Sequence, residues 1–211
     1  MQKAWVLHKV GDIRLEDVPI PQTKEGEVLI RIRAAGICGS DIPRIYETGA
    51  HRMPLVPGHE FSGVVESVGA SVPADWIGKP AGVFPKIACK KCKQCRSGHP
   101  LRCLNYDYVG SRRDGAFSEY VTVPAENLLE LPESVSFEEA AILEPFAVAS
   151  HAIRRAMRLS DPASYREQTV VVCGLGTIGS MIVMLLLDAD YQRIFAVGNK
   201  PSQRDRIKTL G

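Results

Sequence analysis

Hydrophobic positions in the first 130 residues come in short bursts instead of long stripes. Val28-Leu29-Ile30-Arg31-Ile32-Arg33 is rich in β-branched residues, and Gly63-Val64-Val65-Glu66-Ser67-Val68-Gly69 is a similar run bounded by glycines. Ala116 to Val123 makes a third strand candidate, mixing aromatic and β-branched residues. Prolines recur from Pro19 to Pro132, and each removes a backbone donor and clashes with the preceding turn, so long helices are excluded there. The pattern predicts an irregular, barrel-like β domain.

The pattern changes at Ser136. Ser136-x-x-Glu139 has the spacing of a capping box, and the apolar period after it predicts a helix to about Arg158, interrupted at Pro145. A strand is predicted at Thr169-Val170-Val171-Val172-Cys173, then an apolar helix to about Leu187. A second strand follows at Arg193-Ile194-Phe195-Ala196-Val197, and a further helix begins at Pro201. This is the order of a βαβ unit.

Composition narrows the classes. The chain has 211 residues, 45% hydrophobic and 24% charged, which argues against disorder, a collagen-like repeat or a coiled coil. The strongest apolar run, Met181 to Leu187, is too short to cross a bilayer, and no early stretch resembles a signal peptide. A cytoplasmic protein with no membrane partner is expected. In a reducing compartment, clustered cysteines point to metal or catalysis more than to disulfides. The net charge of +2 conceals an asymmetry: residues 86–113 hold eight Lys and Arg against one acid, Asp107. A basic stretch around cysteines raises a zinc-ribbon-like nucleic-acid module as one reading. Against it, the cysteines are not spaced as paired ribbons and the lysines lack interleaved aromatics. No nucleic-acid partner is expected.

Three constellations carry candidate chemistry. Cys89, Cys92, Cys95 and Cys103 supply four thiols within fifteen residues, enough for a closed tetrahedral zinc site of structural type. Four free thiols and an iron–sulfur cluster are the alternatives. Cys38, His59 and Glu144 offer a thiolate, an imidazole and a carboxylate, a three-ligand set that leaves a position for water or substrate. Taken singly, each is as readily a buried structural residue. Gly174-Leu175-Gly176-Thr177-Ile178-Gly179 lies between a strand and a helix, where such glycines let a pyrophosphate approach a helix N-terminus. A glycine turn in another α/β protein is the alternative. Cys173 is expected as a buried strand residue.

The sequence Gly36-Ile37-Cys38-Gly39-Ser40-Asp41, then Pro57-Gly58-His59-Glu60, the four-cysteine loop, Glu144-Pro145 and the glycine motif resembles the zinc-dependent medium-chain alcohol and polyol dehydrogenases over essentially the whole chain. The resemblance implies an α/β plus β architecture. Residues 1–150 would form a GroES-like irregular β-barrel catalytic domain, and residues 151–211 the first part of a Rossmann domain. It implies two Zn2+ per chain: a structural ion on Cys89, Cys92, Cys95 and Cys103, and a catalytic ion on Cys38, His59 and Glu144, with Glu60 as an alternating ligand. Ser40 would touch the substrate hydroxyl and pass on its proton, and Asp41 would orient His59. Hydride would move between the secondary alcohol of a polyol or polyol phosphate and a nicotinamide held by Gly174, Gly176, Thr177, Ile178, Gly179, Gly198, Asn199 and Lys200. Members preferring NAD carry an acid at the end of the second strand, where this chain has Gly198-Asn199-Lys200. Removing the acid and adding a cation favours NADP, with NAD still open. Arg44, Arg112 and Arg113 are candidate partners for a substrate phosphate; sorbitol-like polyols without phosphate remain an alternative. A homo-oligomeric enzyme is expected. Two strands of a Rossmann sheet are present, so the sequence also predicts a truncated piece of a longer enzyme, with an inactive fragment that keeps its zinc sites as the competing reading.

Overall fold

The computed structural model describes residues 1–157 and 167–210, which belong to two compact units, Met1–Leu143 and Glu144–Gly211. The expected domain boundary at residue 150 lies within a helix. In chain order, the first unit opens with β1 (Gln2–Lys9), β2 (Asp12–Val18) and β3 (Glu27–Gly36). The short helix α1 (Asp41–Pro43) runs into a π-turn at Arg44–Thr48, followed by β4 (Glu60–Val68), β5 (Pro80–Val83) and β6 (Lys86–Ile87). Then come α2 (Lys93–Arg96), β7 (Asp107–Tyr108), β8 (Tyr120–Pro124), β9 (Leu128–Glu130) and α3 (Phe137–Ala141).

Five of these strands form one antiparallel sheet in the order β8-β3-β4-β5-β9. Val28 and Ile30 of β3, Phe61 and Val65 of β4, and Val121 and Val123 of β8 are buried together, because strand alternation sends them to one face. β1 and β2 form a separate hairpin, joined to the rest by bridges from Ala4 to Ser118 and from Leu7 to Leu55. Sequence reading did not single out this hairpin. Its signal was Gly11, which takes a φ of +77° at the turn between two alternating segments.

The third predicted strand starts later than expected. The backbone of 116–117 is already committed: Ala116 N–H donates to the Gly58 carbonyl, Phe117 N–H to Pro57, and the Phe117 carbonyl accepts from Trp5. The sheet strand β8 therefore begins only at Tyr120. The capping box is present as predicted, with Glu139 N–H donating to Ser136 Oγ at 3.2 Å and Ser136 N–H to the Glu139 carboxylate at 2.9 Å.

The second unit holds α4 (Leu143–Met157, which starts one residue earlier), β10 (Thr169–Cys173), α5 (Thr177–Asp188), β11 (Arg193–Val197) and α6 (Pro201–Lys208). The predicted interruption at Pro145 is corrected: the chain breaks at Ile142, between α3 and α4, and Pro145 sits in the first turn of α4. There its missing N–H would have had no partner in any case. The expected helix end at Arg158 lies outside the described residues. β10 and β11 pair in parallel, Val171 opposite Phe195, and α5 packs Val183 and Leu186 into a core with Val172 and Leu175. Cys173 is exposed, not buried as expected, because alternation along β10 gives the inner position to Val172. Among the described residues, no helix is long and apolar enough to cross a membrane.

Candidate active site and metal centres

Cys38 follows the end of β3, and His59 and Glu60 stand at the start of β4. The antiparallel pairing of Gly36 with Glu60 brings these two segments together. One potential ligand atom from each of Cys38, His59 and Glu60 lies within 4.8 Å of the others. His59 and Glu60 are buried and Cys38 is half-buried. Behind them Asp41 is fully enclosed. It accepts from Cys38 N–H at 3.1 Å and from the Arg44 guanidinium at 2.5 Å, and its Oδ1 faces His59 Nδ1 at 3.5 Å. That last contact is electrostatic only, and His59 Nδ1 stays buried with no hydrogen-bond partner. The Tyr108 ring meets the His59 ring edge-on, centroids 5.6 Å apart. Ser40 is exposed, and both its hydroxyl and its amide point at Cys38 Sγ, at 3.3 and 3.5 Å.

This donor set fits a divalent cation. Burial pushes the Cys38 thiol above its ordinary range; the Ser40 hydroxyl and amide pull it back, and the Glu60 carboxyl raises it further. A cation among these groups would relieve both the burial penalty and the repulsion between thiolate and carboxylate. Glu144, the expected third ligand, stands in the first turn of α4 and opens the second unit; the group gathered by the first unit contains Glu60 instead.

The four-cysteine loop closes on itself. Ligand atoms of Cys89, Cys92, Cys95 and Cys103 all lie within 4.8 Å of one another, and all four cysteines are free. Cys92 Sγ is 3.5 Å from Cys95 Sγ and 3.9 Å from Cys103 Sγ. Those spacings are far beyond a disulfide and bracket the edge of about 3.8 Å in a tetrahedron with metal–sulfur bonds of about 2.3 Å. Amides of Cys89 and Cys92 donate to Cys103 Sγ and Cys89 Sγ. Backbone donors from Leu104 and Cys95 draw the Cys92 thiol down to about 6, while desolvation and the thiols of Cys92 and Cys103 push Cys95 up to about 12. Four thiols this close resist ionising together, and a bound cation removes that resistance.

In the second unit the glycine motif forms the expected turn. Gly174 takes a φ of +93°, and a Cβ on Gly179 would stand 1.8 Å from the Gly174 carbonyl oxygen, so the chain there admits only glycine. Gly176 caps α5, whose first turn is Thr177-Ile178-Gly179. Gly198 follows β11, Asn199 is exposed, and Lys200 caps α6. Two of the arginines proposed for a phosphate are otherwise engaged: Arg44 by Asp41, and Arg113 by Glu27 at 2.8 Å. Arg112 lies over the Tyr106 ring at 4.5 Å. A groove of about 670 Å3 on the first unit, lined by Arg52, Leu55, Arg112 and Tyr120 among others, contains none of Cys38, His59 or Glu60.

Residues 24–133 match the family described as the alcohol dehydrogenase GroES-like domain. The chain belongs to this family. It is similar to galactitol 1-phosphate 5-dehydrogenase of Escherichia coli K12, 34% identical over 202 residues, covering 95% of this chain and 57% of that protein. Among solved structures, it is similar to a zinc-binding dehydrogenase of Sinorhizobium meliloti 1021 bound to NADP, with a TM-score of 0.90, 31% identity and coverage of 100% of this chain and 60% of the other. An alcohol dehydrogenase of E. coli CFT073 complexed with NADH gives a TM-score of 0.89, 31% identity and coverage of 100% and 60%. The chain spans somewhat over half the length of these relatives.

Proposed function

We propose that this protein is a zinc-dependent oxidoreductase moving a hydride between the secondary alcohol of a polyol or polyol phosphate and NADP or NAD. The observation that carries the reading is the buried Cys38–His59–Glu60 group with Asp41 enclosed behind it, in a chain of the alcohol dehydrogenase family. Zinc held by Cys38 and His59, with Glu60 or Glu144 completing the set, supplies a Lewis acid for the reacting oxygen. Asp41 accepts from the Cys38 amide and stands 3.5 Å from His59 Nδ1, so one carboxylate borders both ligand residues. Ser40, exposed beside Cys38, would accept a hydrogen bond from the alcohol and relay its proton toward solvent, giving up its own hydroxyl proton as it does so. The relative named for galactitol 1-phosphate favours a phosphorylated polyol. The engagement of Arg44 and Arg113 leaves Arg112 as the cation to test for that phosphate. The turn at Gly174–Gly179 supplies the pyrophosphate site, and Gly198-Asn199-Lys200 favours NADP. Six free cysteines fit a cytoplasmic setting.

The deciding experiment measures metal content and nicotinamide-linked turnover together in the purified protein. Two zinc per chain and oxidation of polyol phosphates with NADP+ are expected. A single zinc, retained after Cys38→Ser, would remove the catalytic site and the reading with it.

A further inference from the structure

We propose that Tyr108 is a positioning residue for His59, and that it is held in that role by the β6–β7 ladder at the base of the cysteine lobe. The inference rests on the metal reading above and extends it to a residue outside the ligand set. His59 is 4% exposed, and its Nδ1 has no hydrogen-bond partner, so hydrogen bonding at that nitrogen does not fix the rotation of the ring. Packing must do so. The aromatic neighbour in contact is Tyr108, whose ring meets the imidazole at an interplanar angle of 66° with centroids 5.6 Å apart. An edge-to-face pair of this kind has a preferred orientation, which an aliphatic neighbour lacks.

The backbone of Tyr108 is fixed from two sides. On one side it pairs with Lys86 in the β6–β7 ladder, and that ladder brackets the loop carrying Cys89, Cys92, Cys95 and Cys103. On the other side its carbonyl accepts from the amides of Ser111, Arg112 and Arg113, at 3.3, 2.9 and 3.2 Å. Tyr106 adds a second edge contact to Tyr108 at 6.4 Å, and the Lys86 ammonium and the Arg112 guanidinium each lie over its ring at 4.5 Å. A row of three rings therefore runs from the cysteine lobe to the imidazole that the proposed catalytic metal needs.

The test uses the zinc-loaded protein and its cobalt-substituted form, with Tyr108→Phe, Tyr108→Leu and Tyr108→Met. Phenylalanine keeps the ring, leucine removes it, and methionine refills the space with a flexible chain should leucine prevent folding. Release of each metal equivalent to a chelator is followed, together with the visible bands of cobalt. The expected result is that Tyr108→Phe stays closer to the wild type than either aliphatic variant. The Leu and Met variants should release one of two equivalents about tenfold more readily, the loss typical of removing a group that orients a ligand, and shift the cobalt bands. The second equivalent, on the cysteines, should be retained. A folded Leu or Met variant that holds both equivalents as tightly as wild type, with unchanged cobalt bands, overturns the role of Tyr108 alone. A wild-type protein binding only one equivalent overturns the metal reading beneath it.

Discussion

At the scale of single residues, Asp41 joins more of the site than any ligand does. One oxygen holds the Cys38 amide, and the other is shared between the Arg44 guanidinium and His59 Nδ1. Its side chain is completely buried, and that of Arg44 is 17% exposed. Asp41→Ala leaves the arginine enclosed without its anion, a change that costs about 3 kcal/mol or more in buried pairs. Urea unfolding should show that loss, and metal analysis should show less than two equivalents. Full stability in the variant would mean that Arg44 finds water or another acid at once. The sequence disclosed half of this arrangement. The string Cys38-Gly39-Ser40-Asp41 pointed to an acid that orients His59, whereas Arg44 looked like a partner for substrate phosphate. Its turn back toward Asp41 depends on α1 and the π-turn that follows, three residues apart in sequence and on one side of a helical turn. Nothing in the composition of that segment distinguishes a π-turn from an ordinary helical one.

Among the elements, those with a strong period or a cap were legible and those set by long-range pairing were not. β3, β10, α5 and the capping box of α3 stand where the pattern put them. The late start of β8 is settled by contacts with Pro57 and Gly58, which no local pattern contains, whereas the β1–β2 hairpin carried a local signal in Gly11. Ser136→Ala should lower stability by about 1 kcal/mol, read as a shift in the urea midpoint. Its partner gives that cap a pH dependence. Amide and hydroxyl donors from Ser136 hold the Glu139 carboxyl below its usual range, so the folded state binds its proton less readily than the unfolded chain. The contribution is therefore complete above the unfolded value, about 4.3, and disappears as pH falls through the lower folded value. Wild type and Glu139→Gln should differ in urea midpoint at pH 7 and converge on acidification. In the βαβ unit, Lys200 is an exposed cation at the start of α6, and the proposed preference for NADP makes it the partner of a 2′-phosphate. Lys200→Ala should weaken NADPH by up to about fivefold, the worth of an exposed ion pair, and leave NADH unchanged; binding titrations of both cofactors decide it.

For the whole molecule, the charge asymmetry changes meaning once the fold is known. The basic stretch at 86–113 keeps most of its cations exposed, yet four of them have partners within the first unit. Lys90 pairs with Glu126 at 2.6 Å, Arg113 with Glu27, and Lys86 and Arg112 flank Tyr106. These contacts, with the four thiols, take the place of an apolar core beneath residues 88–105, where Cys103 is the buried hydrophobic residue. The main sheet and the second unit each have an apolar cluster of their own. Metal removal should therefore act unevenly. A lobe held by thiolate–metal bonds loses its closure when the ion leaves, because the same binding free energy orders the loop. Segments packed around Val28, Phe61 and Val65, or around Val172 and Leu186, keep their burial. Hydrogen exchange followed by mass spectrometry should show protection lost in peptides covering 86–108 after chelation. Peptides from β3, β8, β10 and α5 should be unchanged. Cys95→Ser should reproduce the pattern in 86–108 without chelator. The contact from Tyr108 to His59 then predicts a further step: the peptide around His59 should exchange faster in Cys95→Ser even with zinc in excess, since the ladder that carries Tyr108 has lost its base. Uniform loss of protection across every peptide would show that the cysteine site governs folding of the whole chain rather than one lobe and the site it supports.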